Sequence, residues 1–239
     1  MGQGGAAGRV DGLASVVLAV AGAGVLAGIS STGPVVSAVT IASSSVIPVI
    51  AAGSIMRRRP PFITPADRVT LVRAALIGML TGALALTVVG AMPSRAWTVV
   101  FIAAVAAVLD GVDGWVARRG GRGTTAGARL DGEADAAALL VLSALLTMTV
   151  GWWVLLIGLM RYLFMVGSLV RPSWRKDLPH SDFRRSVGAF QAVAMVMSLV
   201  PAVPVPVAAA LAATALVALM VSFGRDIVFL ERVRSTGHR

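Results

Sequence analysis

Apolar residues run through this chain in long blocks rather than in alternation, and short polar clusters separate the blocks. Blocks of about 20 apolar residues are what an α-helix needs to cross the hydrocarbon core of a bilayer, at a rise of 1.5 Å per residue. The first two, residues 12–31 and 34–53, are rich in Ala, Gly, Val and Ser and predict an N-terminal helical hairpin. A secretory leader is a poorer reading of the first block, because Arg9 is opposed by Asp11 in what would be its charged region. Arg57, Arg58 and Arg59, followed by Pro60 and Pro61, end this pattern and supply a basic anchor. Thr64-Pro65-Ala66-Asp67 then has the layout of a helix start: Thr at the cap, Pro at the first helical position, an acid at the third. The helix it opens carries Arg73 and runs apolar to about Ala91.

Five more blocks follow. They cover about 95–117, 130–150, 151–170 and 187–201, then a last one that leaves the Pro201/Pro204/Pro206 turn and ends near Gly224. The pattern predicts an all-α, polytopic membrane bundle of eight spans. Its expected divisions are a transmembrane hairpin over 1–56, a basic juxtamembrane segment over 57–68, a six-span core over 69–226 and a basic tail over 227–239.

Charged residues stand at the edges of these blocks. Asp110 and Asp113 close the block at 95–117, and Asp131 and Asp135 open the next. A carboxylate at membrane depth is costly, about 2.5–3.5 kcal/mol on insertion scales, unless something compensates it. Spacings of three and four put each pair on one face of its helix. Two helix ends bearing paired carboxylates, joined by a Gly/Arg-rich turn, offer a hard-oxygen site for Mg²⁺ or Mn²⁺. Capping and interface solvation are the competing reading, most readily for Asp131 at its expected helix start.

The same stretch resembles the signature of the CDP-alcohol phosphotransferase (CDP-alcohol phosphatidyltransferase) family. The fixed positions of that signature are met by Asp110, Asp113-Gly114, Ala117-Arg118, Gly127, Asp131 and Asp135, with the spacer Arg119–Ala126 of the right length. The resemblance implies a six-span core from about Thr64 onward, with the hairpin as an addition. It also implies transfer of a phosphatidyl group from CDP-diacylglycerol to an alcohol, with release of CMP, in phospholipid synthesis. Asp110, Asp113, Asp131 and Asp135 would hold two divalent ions, with Asp135 a ligand or the general base. Gly114, Ala117, Arg118 and Gly127 would meet the CDP moiety, tight helix packing being the alternative for the three small residues. Asp67 stands near the place of the family's Asn, which faces the nucleotide, although capping alone would explain it.

Arg161, about ten residues into an apolar block, is a functional candidate on its own account. The resemblance turns it toward an acceptor pocket, with snorkelling or pairing to an Asp as the alternative. Arg185, and with less support Arg129, would meet an acceptor phosphate. Together with Arg171 and Arg184 these residues suggest a phosphorylated acceptor such as glycerol 3-phosphate or inositol phosphate. Serine or phosphatidylglycerol as acceptor is the alternative, and a divalent-cation transporter a remote one. A homodimer is implied by the resemblance alone.

Composition sets the limits. With 57% hydrophobic and 13% charged residues and a mean hydropathy of +0.86, the chain falls far from soluble domains, where about a quarter of residues are charged. The formal charge of +10 does not mark a nucleic-acid binder, because the basic residues sit at helix ends without interleaved aromatics; phospholipid headgroups and phosphorylated substrates are the fitting anions. The absence of Cys excludes disulfides and thiolate metal sites. All but two of the 21 Lys and Arg, Arg95 and Arg161, fall on one side, which the positive-inside rule makes cytoplasmic. The four Asp and both termini are therefore expected to face the cytoplasm from an inner-membrane protein.

Overall fold

The computed structural model describes residues 3–58, 63–120, 125–171 and 182–236, leaving out the side chains of 3–5, 113–120, 168, 170, 182 and 232–236. The described residues form eight helices: α1 Gln3–Ile29, α2 Pro34–Met56, α3 Pro65–Val88, α4 Trp97–Gly120, α5 Thr125–Thr147, α6 Leu155–Val170, α7 Asp182–Leu199 and α8 Val205–Thr236. No strand occurs among them. The arrangement is the polytopic helical bundle that the block pattern predicts.

Among the described residues, α1, α2, α3 and α8 are long and apolar enough to cross a membrane by length and composition alone, and α4 and α6 contribute shorter apolar stretches. The remaining helices, α5 and α7, carry charges within them. Arg129, Asp131, Glu133 and Asp135 occupy the first half of α5, leaving Ala136–Thr147 as its apolar part, roughly 18 Å at 1.5 Å per residue. In α7, Asp182, Arg184 and Arg185 fill the first turn. Both helices carry this charge toward their N-terminal ends.

α3 is the central post. Its apolar window is 67% buried, against 28–33% for α1, α2 and α8. It packs on α1 and α2 at one side and on α4 and α5 at the other. Ile77, Leu80, Ala83 and Leu86 of α3 meet Val99 and Ala103 of α4, Leu145 and Leu146 of α5, and Met195 and Leu199 of α7 in one core. Close approach of α2 to α3 depends on small residues: a side chain at Gly78 would run into the Ser44 carbonyl and the Pro48 ring. The hairpin is thus fitted to α3 by shape as well as by apolar area.

Four boundaries differ from those that the sequence predicts. α5 starts at Thr125 rather than near Leu130, so Asp131 lies in its second turn, beyond the cap positions. Gly151, at φ +135°, breaks the chain between α5 and a short 3₁₀ turn, Trp152–Val154, that leads into α6. α7 begins at Asp182, several residues before the expected Val187. α8 does not end near Gly224 but continues to Thr236. Contacts along that extension explain why: Arg225 lies over the Phe183 ring at 4.5 Å, Asp226 is 3.7 Å from Arg184, and Glu231 is 3.3 Å from Arg171. Residues 59–62, with Arg59 and the Pro60-Pro61 pair, and 172–181, with Arg175 and Lys176, lie outside the described residues.

At the opposite end, Arg95 donates from Nη2 to the carbonyl oxygens of Val200, at 2.5 Å, and Val203. The basic residue expected on the far side thus holds the turn between α7 and α8.

Candidate active site

Three helices converge on one cluster of charge. α4 supplies Asp110, and α5 supplies Asp131 and Asp135, whose i, i+4 spacing places both carboxylates on the face toward α4. One ligand oxygen from each of the three lies within 4.8 Å of the others. The three side chains are 37–43% exposed, so the cluster opens to a cavity rather than being sealed in the core.

α3 brings a residue that the motif does not include. Arg73 is 3% exposed, donates from Nη1 to Asp131 and from Nη2 to Asp135, and has the same Nη2 2.8 Å from Asp110. One guanidinium therefore bridges all three carboxylates. Arg73 offsets one of the three carboxylate charges, and the donors are all hard oxygens. That set fits a divalent ion such as Mg²⁺ or Mn²⁺, with Asp110, Asp131 and Asp135 as the residues that would hold it. Arg73 was legible only as a charge within an apolar run, the same signal that singled out Arg161.

The remaining expected site residues fall in different places. Asp113, Gly114, Ala117 and Arg118 follow Asp110 along α4, but their side chains lie outside the described residues. Gly127 is in the first turn of α5, partly buried. Arg129 is exposed. Arg161 of α6 extends over α5 so closely that a Cβ on Gly132 would stand 2.8 Å from its Nη2, next to the Asp131 turn. Arg185 of α7 and its neighbour Arg184 line the cavity in front of the carboxylates.

Asp67 is turned elsewhere. It is 1% exposed and holds Arg58 through two bonds of 2.7 Å, one to each carboxylate oxygen. The Thr64 backbone N–H and hydroxyl donate to Oδ2 at 2.8 and 2.7 Å, and the Asp67 N–H donates back to Thr64 Oγ1 at 3.1 Å, completing a capping box. The capping half of the expectation describes what Asp67 does here. Its carboxylate is taken up by Arg58, which ties the end of α2 to the start of α3, and this gives no geometric support to a nucleotide contact.

Two cavities meet at the cluster. The larger, of about 500 Å³, lies between α3, α4, α5 and α7; Arg73, Asp110, Asp131, Asp135, Arg184 and Arg185 form its polar end, and its remaining wall is mostly apolar. The smaller, of about 230 Å³, lies between α5, α6, α7 and α8, with Arg161, Gln191 and Asp226 on its wall. Asp135, Leu139, Arg184 and Gly188 border both. A polar end with an apolar flank suits an amphipathic, phosphate-bearing ligand, and a second compartment sharing one carboxylate suits a second reactant.

A model of the CDP-alcohol phosphatidyltransferase family matches residues 63–223, which takes in α3 to α7 and most of α8 and leaves α1 and α2 outside. A search of curated proteins and a search of solved structures each returned no match. With two thirds of its length covered, and with the carboxylates of α4 and α5 drawn together around one centre, the chain belongs to the CDP-alcohol phosphatidyltransferase family.

Proposed function

We propose that the protein transfers a phosphatidyl group from CDP-diacylglycerol to a phosphorylated alcohol, such as glycerol 3-phosphate or inositol phosphate, releasing CMP. The family supports the class of reaction, phosphoryl-type transfer from a CDP-alcohol in the membrane. The observation that carries the finer reading is the pair of cavities sharing Asp135. The larger would take the pyrophosphate at its polar end and the acyl chains along its apolar flank. The smaller would hold the acceptor, its phosphate against Arg161 and Arg184, its reacting hydroxyl toward Asp135. Arg185, on the rim of the larger cavity, would steady the donor or acceptor phosphate.

Asp110, Asp113, Asp131 and Asp135 would hold the divalent ions, Mg²⁺ or Mn²⁺, two being the expected number. Bound there, they supply charge neutralisation at the phosphates and at the oxygens that attack and leave. The protein's own residues do the positioning. The acceptor oxygen forms a bond to the phosphorus that bears the diacylglycerol, the bridging P–O bond of the pyrophosphate breaks, and CMP departs with the bridging oxygen. The hydroxyl proton passes to an Asp135 carboxylate oxygen. Arg73 fixes Asp131 and Asp135 in their rotamers, so that the cluster is set before substrate arrives.

In this reading the site and both termini face the cytoplasm, following the basic bias, and Arg95 marks the far side. The homodimer comes with the family and is checked by the mass of the detergent-solubilised particle. The reaction is tested by supplying purified protein, Mn²⁺ and CDP-diacylglycerol with glycerol 3-phosphate, inositol phosphate, serine or phosphatidylglycerol, and identifying the lipid product by mass. A product with a phosphorylated acceptor supports the proposal. CMP release with serine alone would keep the family chemistry and overturn the acceptor; no release with any of them would overturn the reaction.

A further inference from the structure

The smaller cavity contains a side chain that the mechanism does not use. Gln191 of α7 lines it and is 2% exposed, and its Nε2 has no hydrogen-bond partner among the described residues. A buried amide N–H without a partner is unfavourable, and a leucine would fill much the same volume without that penalty. The amide is therefore placed for a partner that the described residues do not supply. Ser222 of α8, 4% exposed, lines the same cavity, as do Arg161, Arg184, Asp226 and Asp135. Two cations face two carboxylates there, and Asp226 stands 3.7 Å from Arg184. The compartment is thus no simple anion trap. It presents donors and acceptors at several points around a space of about 230 Å³, the volume of seven or so waters at about 30 Å³ each.

Resting on the function proposed above, we propose that this cavity recognises a polyhydroxylated acceptor and that Gln191 determines the specificity. Its Nε2 donates to a hydroxyl of the acceptor other than the one that attacks phosphorus. Asp135, on the shared wall, faces the reacting hydroxyl, while Gln191 reads a hydroxyl deeper in the bundle. An acceptor lacking that second hydroxyl leaves the amide unpaired, and sites built to bond a substrate hydroxyl discriminate strongly against analogues without it.

The test compares wild type with Gln191→Leu and Gln191→Glu, as full-length purified protein with Mn²⁺ and CDP-diacylglycerol. Inositol phosphate, glycerol 3-phosphate and serine serve as acceptor probes. With the probe that wild type uses best, Gln191→Leu is expected to raise the acceptor KM about 10–100-fold. Gln191→Glu, which keeps an acceptor but loses the donor, is expected to do the same. The effect should fall on acceptor KM rather than on kcat or on the KM for CDP-diacylglycerol. In the absence of acceptor, Gln191→Leu is expected to melt at or above the wild-type temperature, since it removes an unpaired amide. An acceptor KM within twofold of wild type in both variants, or a parallel rise in donor KM, would overturn the inference. So would a wild type that prefers serine to both hydroxyl-rich phosphates. An active wild type with unaltered variants sinks this inference alone, whereas a wild type that releases no CMP with any probe sinks the proposed function first.

Discussion

Arg73→Met removes the one described cation that bridges the three carboxylates while keeping a side chain of similar reach. Arg73 is 3% exposed, whereas its partners are 37–43% exposed. Breaking a fully buried pair costs about 3–5 kcal/mol, because a charge is left stranded; a surface pair contributes about 0–1 kcal/mol. Here the stranded carboxylates keep access to water, so the loss falls between these limits, at about 2–3 kcal/mol. For a chain of this length, 1 kcal/mol moves the melting temperature by roughly 2–4 °C. The variant in detergent with EDTA should therefore melt roughly 5–10 °C below wild type. Divalent ions bound only by the folded state stabilise it by mass action, and they replace the missing positive charge. With saturating Mn²⁺ the deficit should shrink to half or less, so that the metal-induced shift is larger in the variant than in wild type. Melting curves with EDTA and with Mn²⁺ decide the matter. The same deficit in both would mean that Arg73 serves packing alone and that the carboxylates it bridges are not where metal binds.

Asp131→Asn and Asp135→Asn should each lower CMP release by about 10²–10³-fold, by analogy with the loss of one electrostatic group in a preorganised site, while leaving the protein monodisperse in detergent; retention of a tenth of the activity would contradict their place in the centre. Asp67→Asn breaks the bidentate pair with Arg58 and weakens the cap, and should cost about 3 kcal/mol of stability with little change in donor KM at a temperature where the variant is folded. A large rise in donor KM would instead return Asp67 to the nucleotide site. Arg95→Met frees the carbonyl oxygens of Val200 and Val203 at the far end and should lower the melting temperature by a few degrees, at about 1–3 kcal/mol for hydrogen bonds to a charged donor; a change in either KM would show that the far end is coupled to the site.

How much of this was legible in the chain follows from the kind of signal each part carries. The carboxylates of α4 and α5 were readable because fixed spacing along a helix is a local property, and charges within apolar blocks stand out. Arg73 stands out in the same way, but its partners lie on other helices, 37 or more positions away, and no local pattern names them. Asp67 shows the converse. Its capping box is local and was readable, while its pairing with Arg58 depends on how α2 meets α3. Apolar patterning alone sets the start of α7 and the end of α8 too close to the apolar blocks, because helix extension there depends on tertiary contacts, among them Arg225 over Phe183 and Asp226 near Arg184. Gln191 gave no signal at all, since a lone amide in an apolar helix is ordinary until its surroundings show that it lacks a partner.

If the carboxylates on α4 and α5 hold divalent metal against the phosphates of a CDP-alcohol, phosphorus and metal must lie within a few ångströms of each other. Electron–nuclear double resonance at phosphorus, on protein loaded with Mn²⁺ and then with CDP-diacylglycerol, tests it most directly. Wild type is expected to bind Mn²⁺ and to show a phosphorus coupling that appears on adding the nucleotide-lipid, and Asp131→Asn is expected to lose both. Bound Mn²⁺ that shows no phosphorus coupling, or a coupling that survives in Asp131→Asn unchanged, would contradict it.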